Sequence, residues 1–307
     1  MLNSPIKQGI KYSFGTPALG LGLSMFTFGA FLKSSGFTIW QSFSSTFFAF
    51  ALPGQFVMAD LLIAGGSILN IFFAVLLTNA RLFPMTINLI PIIQNNKIAK
   101  WKFFLISHLI AVTAWINMFA SYENVKKNNR FEYFLGLGGS LWITSILFTV
   151  LGFVCSDFIN KKILLGLVFF NPLYFLIMTL SNILNRKLLM VFILELKMID
   201  NQTIILAIIV SSIATYFCRS MGVIFSSRLR IDSWIFDWIK CISIGIIVAV
   251  ISKIIVFPEG ILESTSQTSR LLATISLVTI YYFFGKNILL SVSLSTAIFT
   301  ILNYYNF

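Results

Sequence analysis

Leu77-Thr78-Asn79-Ala80-Arg81-Leu82-Phe83-Pro84-Met85 lies inside an apolar run, from about Ile68 to Ile93, that is long enough to cross a bilayer. Near the middle of that run, Asn79, Arg81 and Pro84 fall within six positions of one another. An arginine at the centre of a spanning helix costs about 2.5–3.5 kcal/mol on insertion scales. Pro84 removes a backbone donor and clashes one turn back, so the helix is expected to bend or break there. A cavity facing Arg81 makes the pairing tolerable. The competing reading is that Arg81 snorkels to the headgroups or pairs with a neighbouring helix for packing alone.

Working outward, the composition agrees with a membrane chain. Of the 307 residues, 58% are hydrophobic and 10% charged, whereas a soluble domain carries roughly 25% charged residues. The excess of basic residues, 22 against 10 acidic, is spread through short loops between apolar runs. Loop charges of a polytopic membrane protein look like this, and a nucleic-acid footprint would gather them on one face or tail. The expected partners are therefore the lipid bilayer and a small molecule, with no nucleic acid; whether copies join as a homo-oligomer is left open.

The runs read as about eleven spans: Tyr12–Leu32, Trp40–Leu62, Ile68–Ile93, Phe103–Phe119, Phe134–Val154, Ile163–Leu180, Leu188–Met198, Ile204–Phe225, Phe236–Phe257, Leu271–Phe284 and Ile288–Leu302. They are continuously apolar over about 20 residues, where barrel strands would alternate over about ten. The expected fold is an all-α, polytopic transmembrane bundle with some broken helices. Lys7 and Lys11 precede a run too long for a cleaved signal, so the first span is expected to be retained. Small residues at Gly15, Ala18, Gly20, Gly22 and Ser24, and again at Gly136, Gly138, Gly139 and Ser140, predict close helix contacts in spans one and five.

Two breaks are expected besides the one at Pro84: Pro53-Gly54-Gln55 in span two and Asn171-Pro172 in span six. Gly20 to Gly136 is 116 positions and Pro53 to Pro172 is 119, which suggests that spans one to three and five to seven are an internal repeat. Interrupted helices in corresponding halves are the best sequence pointer to a carrier's binding site. With the N-terminus inside, eleven basic loop residues, Arg219 among them, fall inside and eight outside, a slight bias that one re-entrant segment would reverse.

No catalytic group is expected. Gly285-Lys286 lacks the upstream glycines of a P-loop, and neither a nucleophile elbow nor paired catalytic carboxylates appear. Cys155, Cys218 and Cys241 have no partner at metal-ligand spacing, and no metal or cofactor is expected. His108, the single histidine, reads as a polar residue at a helix start satisfied by its neighbours. Polar groups at depth remain. Gln55 and Asn79 offer carboxamides and Arg81 a cation able to grip a carboxylate bidentately. Pro53, Gly54, Asn171 and Tyr174 would line the same region, and Asp60 and Glu195 are the candidates for ion coupling. That set suits a hydrophobic amino acid; inter-helix hydrogen bonding is the plainer role for Gln55 and Asn79.

Phe50-Ala51-Leu52-Pro53-Gly54-Gln55-Phe56-Val57 and Thr78-Asn79-Ala80-Arg81-Leu82-Phe83-Pro84-Met85 resemble the AzlC family of branched-chain amino acid transport proteins. Supporting segments are His108–Trp115, Tyr133–Gly138 and Phe170–Leu176. Thr215-Tyr216-Phe217-Cys218-Arg219 and Ile254–Gly260 are similar to the small partner family, AzlD. The resemblance implies two units, 1–200 and 201–307, usually separate chains and here fused. It implies a secondary transporter in the bacterial inner (cytoplasmic) membrane, exporting branched-chain and similar apolar amino acids, with proton coupling plausible. Widespread family members have Asn-Leu-Arg-His where this chain reads Asn79-Ala80-Arg81-Leu82, so a histidine relay at that point is not expected. The rival readings are a membrane assembly subunit that moves nothing itself and an importer of small amino acids.

Overall fold

The three apolar runs between Trp40 and Phe119 are each broken into two helices, and proline alone does not set the breaks. The computed structural model describes residues 4–95, 98–180, 201–226, 252, 255–257, 262, 264–283 and 288–305. In chain order the helices are α1 Pro5–Ser13, α2 Thr16–Ser34, α3 Ile39–Ala49, α4 Leu52–Ile63, α5 Ile68–Asn79, α6 Leu82–Ile93, α7 Trp101–Ser107 and α8 Val112–Ser121. They are followed by α9 Arg130–Cys155, α10 Lys161–Leu180, α11 Asn201–Phe225, α12 Gln267–Phe283 and α13 Ile288–Tyr304. The fold is all-α, as expected.

The bend between α5 and α6 is 45° and falls at Ala80–Arg81, so Pro84 sits in the first turn of α6, where its missing N–H costs nothing. Span two breaks earlier than expected. α3 opens on a reciprocal capping box between Thr38 and Gln41 and stops at Phe50, which is left-handed at φ 40°, ψ 46°. Pro53 and Gly54 then lie in the first turn of α4 rather than in the gap. Span four is corrected. Instead of one crossing over Phe103–Phe119, α7 and α8 meet at 114°, so α8 runs back toward the side from which α7 came. At 1.5 Å per residue α7 reaches only about 10 Å, a third of the hydrocarbon core. A re-entrant pair there would reverse the loop-charge count downstream of it.

The expected break at Asn171-Pro172 is also corrected: α10 is one helix from Lys161 to Leu180. It is packed along its length by α13, with the rings of Phe169 and Phe299 stacked 4.2 Å apart and Gly166 against Thr300. Neighbouring helices let a membrane helix carry a proline without breaking. Pro53 and Pro172, paired by the repeat, therefore do different things. The expected span at 188–198 and most of that at 236–257 lie outside the described residues. By length and hydropathy, two described helices can cross a bilayer singly, α9 with its preceding turn and α11; the count reaches five only if each of three bent pairs, α7–α8 included, is one span.

Spans one and five do pack together, through Gly22 and Gly136 of the expected stripes and through Gly9, Gly29 and Gly152 outside them. α1 and α2 both run along α9. A Cβ on Gly9 would enter the backbone of Tyr133, one on Gly136 that of Ile6, one on Gly29 that of Thr149 and one on Gly152 that of Phe26. Gly20 and Gly139 face open space. Such backbone approach replaces the hydrophobic drive that lipid does not supply.

The C-terminal helices are not a separate body. α12 and α13 lie on α10, and α11 runs among α3, α4, α5, α6 and α7. Its Ile205, Ile209, Ile213 and Phe217 are about half exposed, a lipid-facing row, while Ser211, Thr215, Arg219 and Gly222 are buried on the opposite side. A Cβ on Gly222 would stand 2.5 Å from Thr86 Cβ and 2.9 Å from Phe83 O, which fixes α11 closely on α6.

Candidate functional site

A helix that stops inside a membrane leaves backbone carbonyls that water cannot reach, so each must find a donor from the protein. The end of α3 shows where these come from. Phe47 O accepts from Trp142 Nε1 of α9 at 3.2 Å and lies 3.0 Å from His108 Nε2 at the α7–α8 turn. Ala49 O accepts from Arg219 Nη1 at 3.1 Å, and Phe50 O from Arg219 Nη2 at 2.8 Å. A carbonyl can only accept, so His108 Nε2 carries the hydrogen and Nδ1 is left as acceptor. Arg219 Nη1 lies 3.5 Å from that Nδ1 and donates to it. Three elements, from 61 to 170 positions away, thus close one helix end.

The start of α4 is closed from within. Gln55 Oε1 accepts from Ala51 N at 3.2 Å, and its Nε2 donates to Ser45 Oγ at 3.1 Å and Thr46 Oγ1 at 3.2 Å. Gln55 is buried, and these bonds tie the two helices across their break. Thr46 continues the network to Thr149 of α9 at 3.1 Å.

Asn79, the last residue of α5, is fully buried against Gly54, whose absent Cβ would lie 2.7 Å from Asn79 Oδ1 and 2.8 Å from its Cγ. The two breaks singled out in the sequence therefore touch. Asn79 Nδ2 donates to Thr215 Oγ1 of α11 at 2.8 Å. Thr215 gives its own hydrogen to Ser211 O at 2.7 Å, so it can only accept from Asn79, and this fixes the amide orientation. Asn79 Oδ1 is left buried without a hydrogen-bond partner among the described residues, as are Arg219 Nε and Ser211 Oγ.

The other sequence candidates are placed as follows. Arg81 caps α6 at the α5–α6 bend and is half-buried. Asp60 is buried on α4. Asn171 and Tyr174 lie on α10, with side chains outside the described set, and Glu195 lies outside the described residues. His108 is a helix C-cap rather than a helix start, and it is satisfied by neighbours as expected. Arg219 was missed: counted among the loop charges, it is the largest fully buried side chain among the described residues.

Broken apolar helices that meet through buried polar side chains from both ends of the chain fit an all-α membrane bundle. Residues 17–159 match the model of the AzlC family (AzlC protein), and residues 204–303 match that of the branched-chain amino acid transport protein AzlD. The chain joins an AzlC domain and an AzlD domain in one polypeptide, and its role lies in transport. No curated protein and no solved structure matches it.

Proposed function

We propose that the chain is a secondary carrier exporting branched-chain and similar apolar amino acids across the bacterial inner (cytoplasmic) membrane. The observation that carries this is the junction of the α3–α4 and α5–α6 breaks, where Gly54 admits the amide of Asn79 beside the buried polar row of α11. Carriers bind substrate where interrupted helices meet near the midplane. Pro53 starts α4 and Gln55 ties it to α3 across the break, Asn79 presents an acceptor to the ammonium group, and a cation beside the two breaks receives the carboxylate, Arg81 at the α5–α6 bend being the candidate the sequence offers. Asn171 and Tyr174 of α10 are further candidates for lining the path. Asp60, buried on α4, and Glu195 are the candidates for proton coupling.

An apolar pocket distinguishes substrates by only about 1–3 kcal/mol per methylene, so leucine, isoleucine and valine are all expected to be accepted. The test is efflux. Cells expressing the chain are loaded with a leucine-containing dipeptide, and leucine release is followed with and without an uncoupler. Release several-fold above cells carrying the empty vector, suppressed by the uncoupler, is the expected result. Release equal to the control from cells with the protein inserted would reduce it to an assembly subunit. Accumulation of external leucine instead would make it an importer.

A further inference from the structure

Resting on the carrier reading above, we infer that Arg219 of the C-terminal unit, rather than Arg81, holds the substrate carboxylate, while Asn79 Oδ1 accepts from the substrate ammonium. Arg219 is 0% exposed and permanently charged, yet no carboxylate lies within 4.0 Å of it among the described residues. Its contacts are all neutral: the carbonyls of Ala49 and Phe50, and the imidazole of His108. A cation at membrane depth without a counter-ion is costly, and such residues mark substrate pathways.

Hydrogen counting points the same way. A guanidinium has five N–H donors. Nη1 spends two, on Ala49 O and His108 Nδ1, and Nη2 spends one, on Phe50 O. Nε–H and the second Nη2 hydrogen remain, and Nε has no partner among the described residues. Those two groups form one edge of the fork, the arrangement that takes a carboxylate bidentately.

The other half of a zwitterion is provided for alongside. Thr215, which fixes Asn79, precedes Arg219 by one helical turn, about 6 Å at 1.5 Å per residue. Asn79 Oδ1 is thereby held beside the buried face of α11, one turn from Arg219 along that helix, without a hydrogen-bond partner among the described residues, and Ser211 Oγ, one turn further along α11, is likewise unpartnered among them. Buried polar atoms without partners are rare in native proteins, and here two belong to the buried row of α11 and a third to the residue bonded to that row. An α-amino acid offers a carboxylate to one end of that set and an ammonium to the other. Neither unit has the site alone: the N-terminal unit contributes Asn79, and the C-terminal unit contributes Arg219 and Thr215.

The alternative is that Arg219 is only a helix cap, and analogue competition separates the two. In proteoliposomes holding the full chain, leucinamide, which keeps the ammonium and lacks the carboxylate, competes with labelled leucine. Wild type should prefer leucine by about 100-fold, the loss expected when one partner of a buried charge pair is removed. Arg219→Lys should weaken leucine while keeping the preference. Arg219→Gln should erase the preference, whereas Arg81→Gln should retain it. Preference kept in Arg219→Gln, or lost in Arg81→Gln, overturns the assignment. If Arg219→Gln does not assemble, Arg81→Gln still decides between the two cations. A wild type that moves both compounds equally removes the carboxylate site while leaving transport standing. A wild type that moves neither ends the carrier reading and this one with it.

Discussion

Gly54→Ala is the sharpest perturbation of the junction. The added methyl would stand 2.7 Å from Asn79 Oδ1 and 2.8 Å from its Cγ, where ordinary contact begins at 3.4 Å. The carboxamide must withdraw, and its 2.8 Å bond to Thr215 goes with it. Overpacking of this kind costs about 1–3 kcal/mol. Stranding the buried amide hydrogens adds about 1–3 kcal/mol more. Asn79→Ala, by contrast, leaves Thr215 still donating to Ser211 and should cost only about 0.6 kcal/mol. The pair should therefore be strongly non-additive: Gly54→Ala with Asn79→Ala should be close to Asn79→Ala alone in thermal stability, because the clash has lost its partner. The assay is a thermal-unfolding series on the four purified proteins, alongside leucine transport by each. Stability should be lowest for Gly54→Ala and recover in the double variant, with transport absent from both. Gly54→Ala as stable and active as wild type would refute the contact between the two breaks.

Three further outcomes follow from the packing. Severing the chain near Asn185 and co-expressing the pieces should give a co-purifying, active complex, since α11 lies among five helices of the other unit. Residues 1–185 alone should show little or no transport, because the end of α3 loses Arg219 and Asn79 loses Thr215; full activity would make the C-terminal unit dispensable. Gly152→Leu should sharply lower the folded yield, its side chain entering the backbone of Phe26, while Gly139→Leu at an open position should not; membrane yield and thermal stability of both check this.

How far the sequence could be read varies with the range of the forces. The α5–α6 bend was legible because Arg81 and Pro84 are both local offenders in an apolar run. The α3–α4 break was placed late because proline reads as a breaker, although in a first turn it is a starter; the stop itself is the left-handed Phe50, held by distant donors. Nothing in His108-Leu109-Ile110-Ala111 announces a 114° turn, since it carries neither glycine nor proline; His108 bonds to Phe47 O instead. Small residues identified the elements that touch, Gly22 and Gly136 among the contacts, but Gly20 and Gly139 face open space, because crossing geometry decides which glycines touch. Arg219 had a readable signal: Ser211, Thr215, Arg219 and Gly222 recur at helical spacing opposite Ile205, Ile209, Ile213 and Phe217. Counting it as loop charge hid it. Among the proposed site residues, Gly54, Gln55 and Asn79 do come together; Gln55 is held by its neighbours Ala51, Ser45 and Thr46, but the acceptor that holds Asn79, Thr215, comes from the other end of the chain.

Labelled-leucine counterflow in proteoliposomes bears most directly on a carrier built at these breaks. Vesicles preloaded with unlabelled leucine should accumulate external label in a transient overshoot, which vesicles without internal leucine do not show. Label entering no faster than into protein-free vesicles, or entering equally whether or not leucine waits inside, would contradict it.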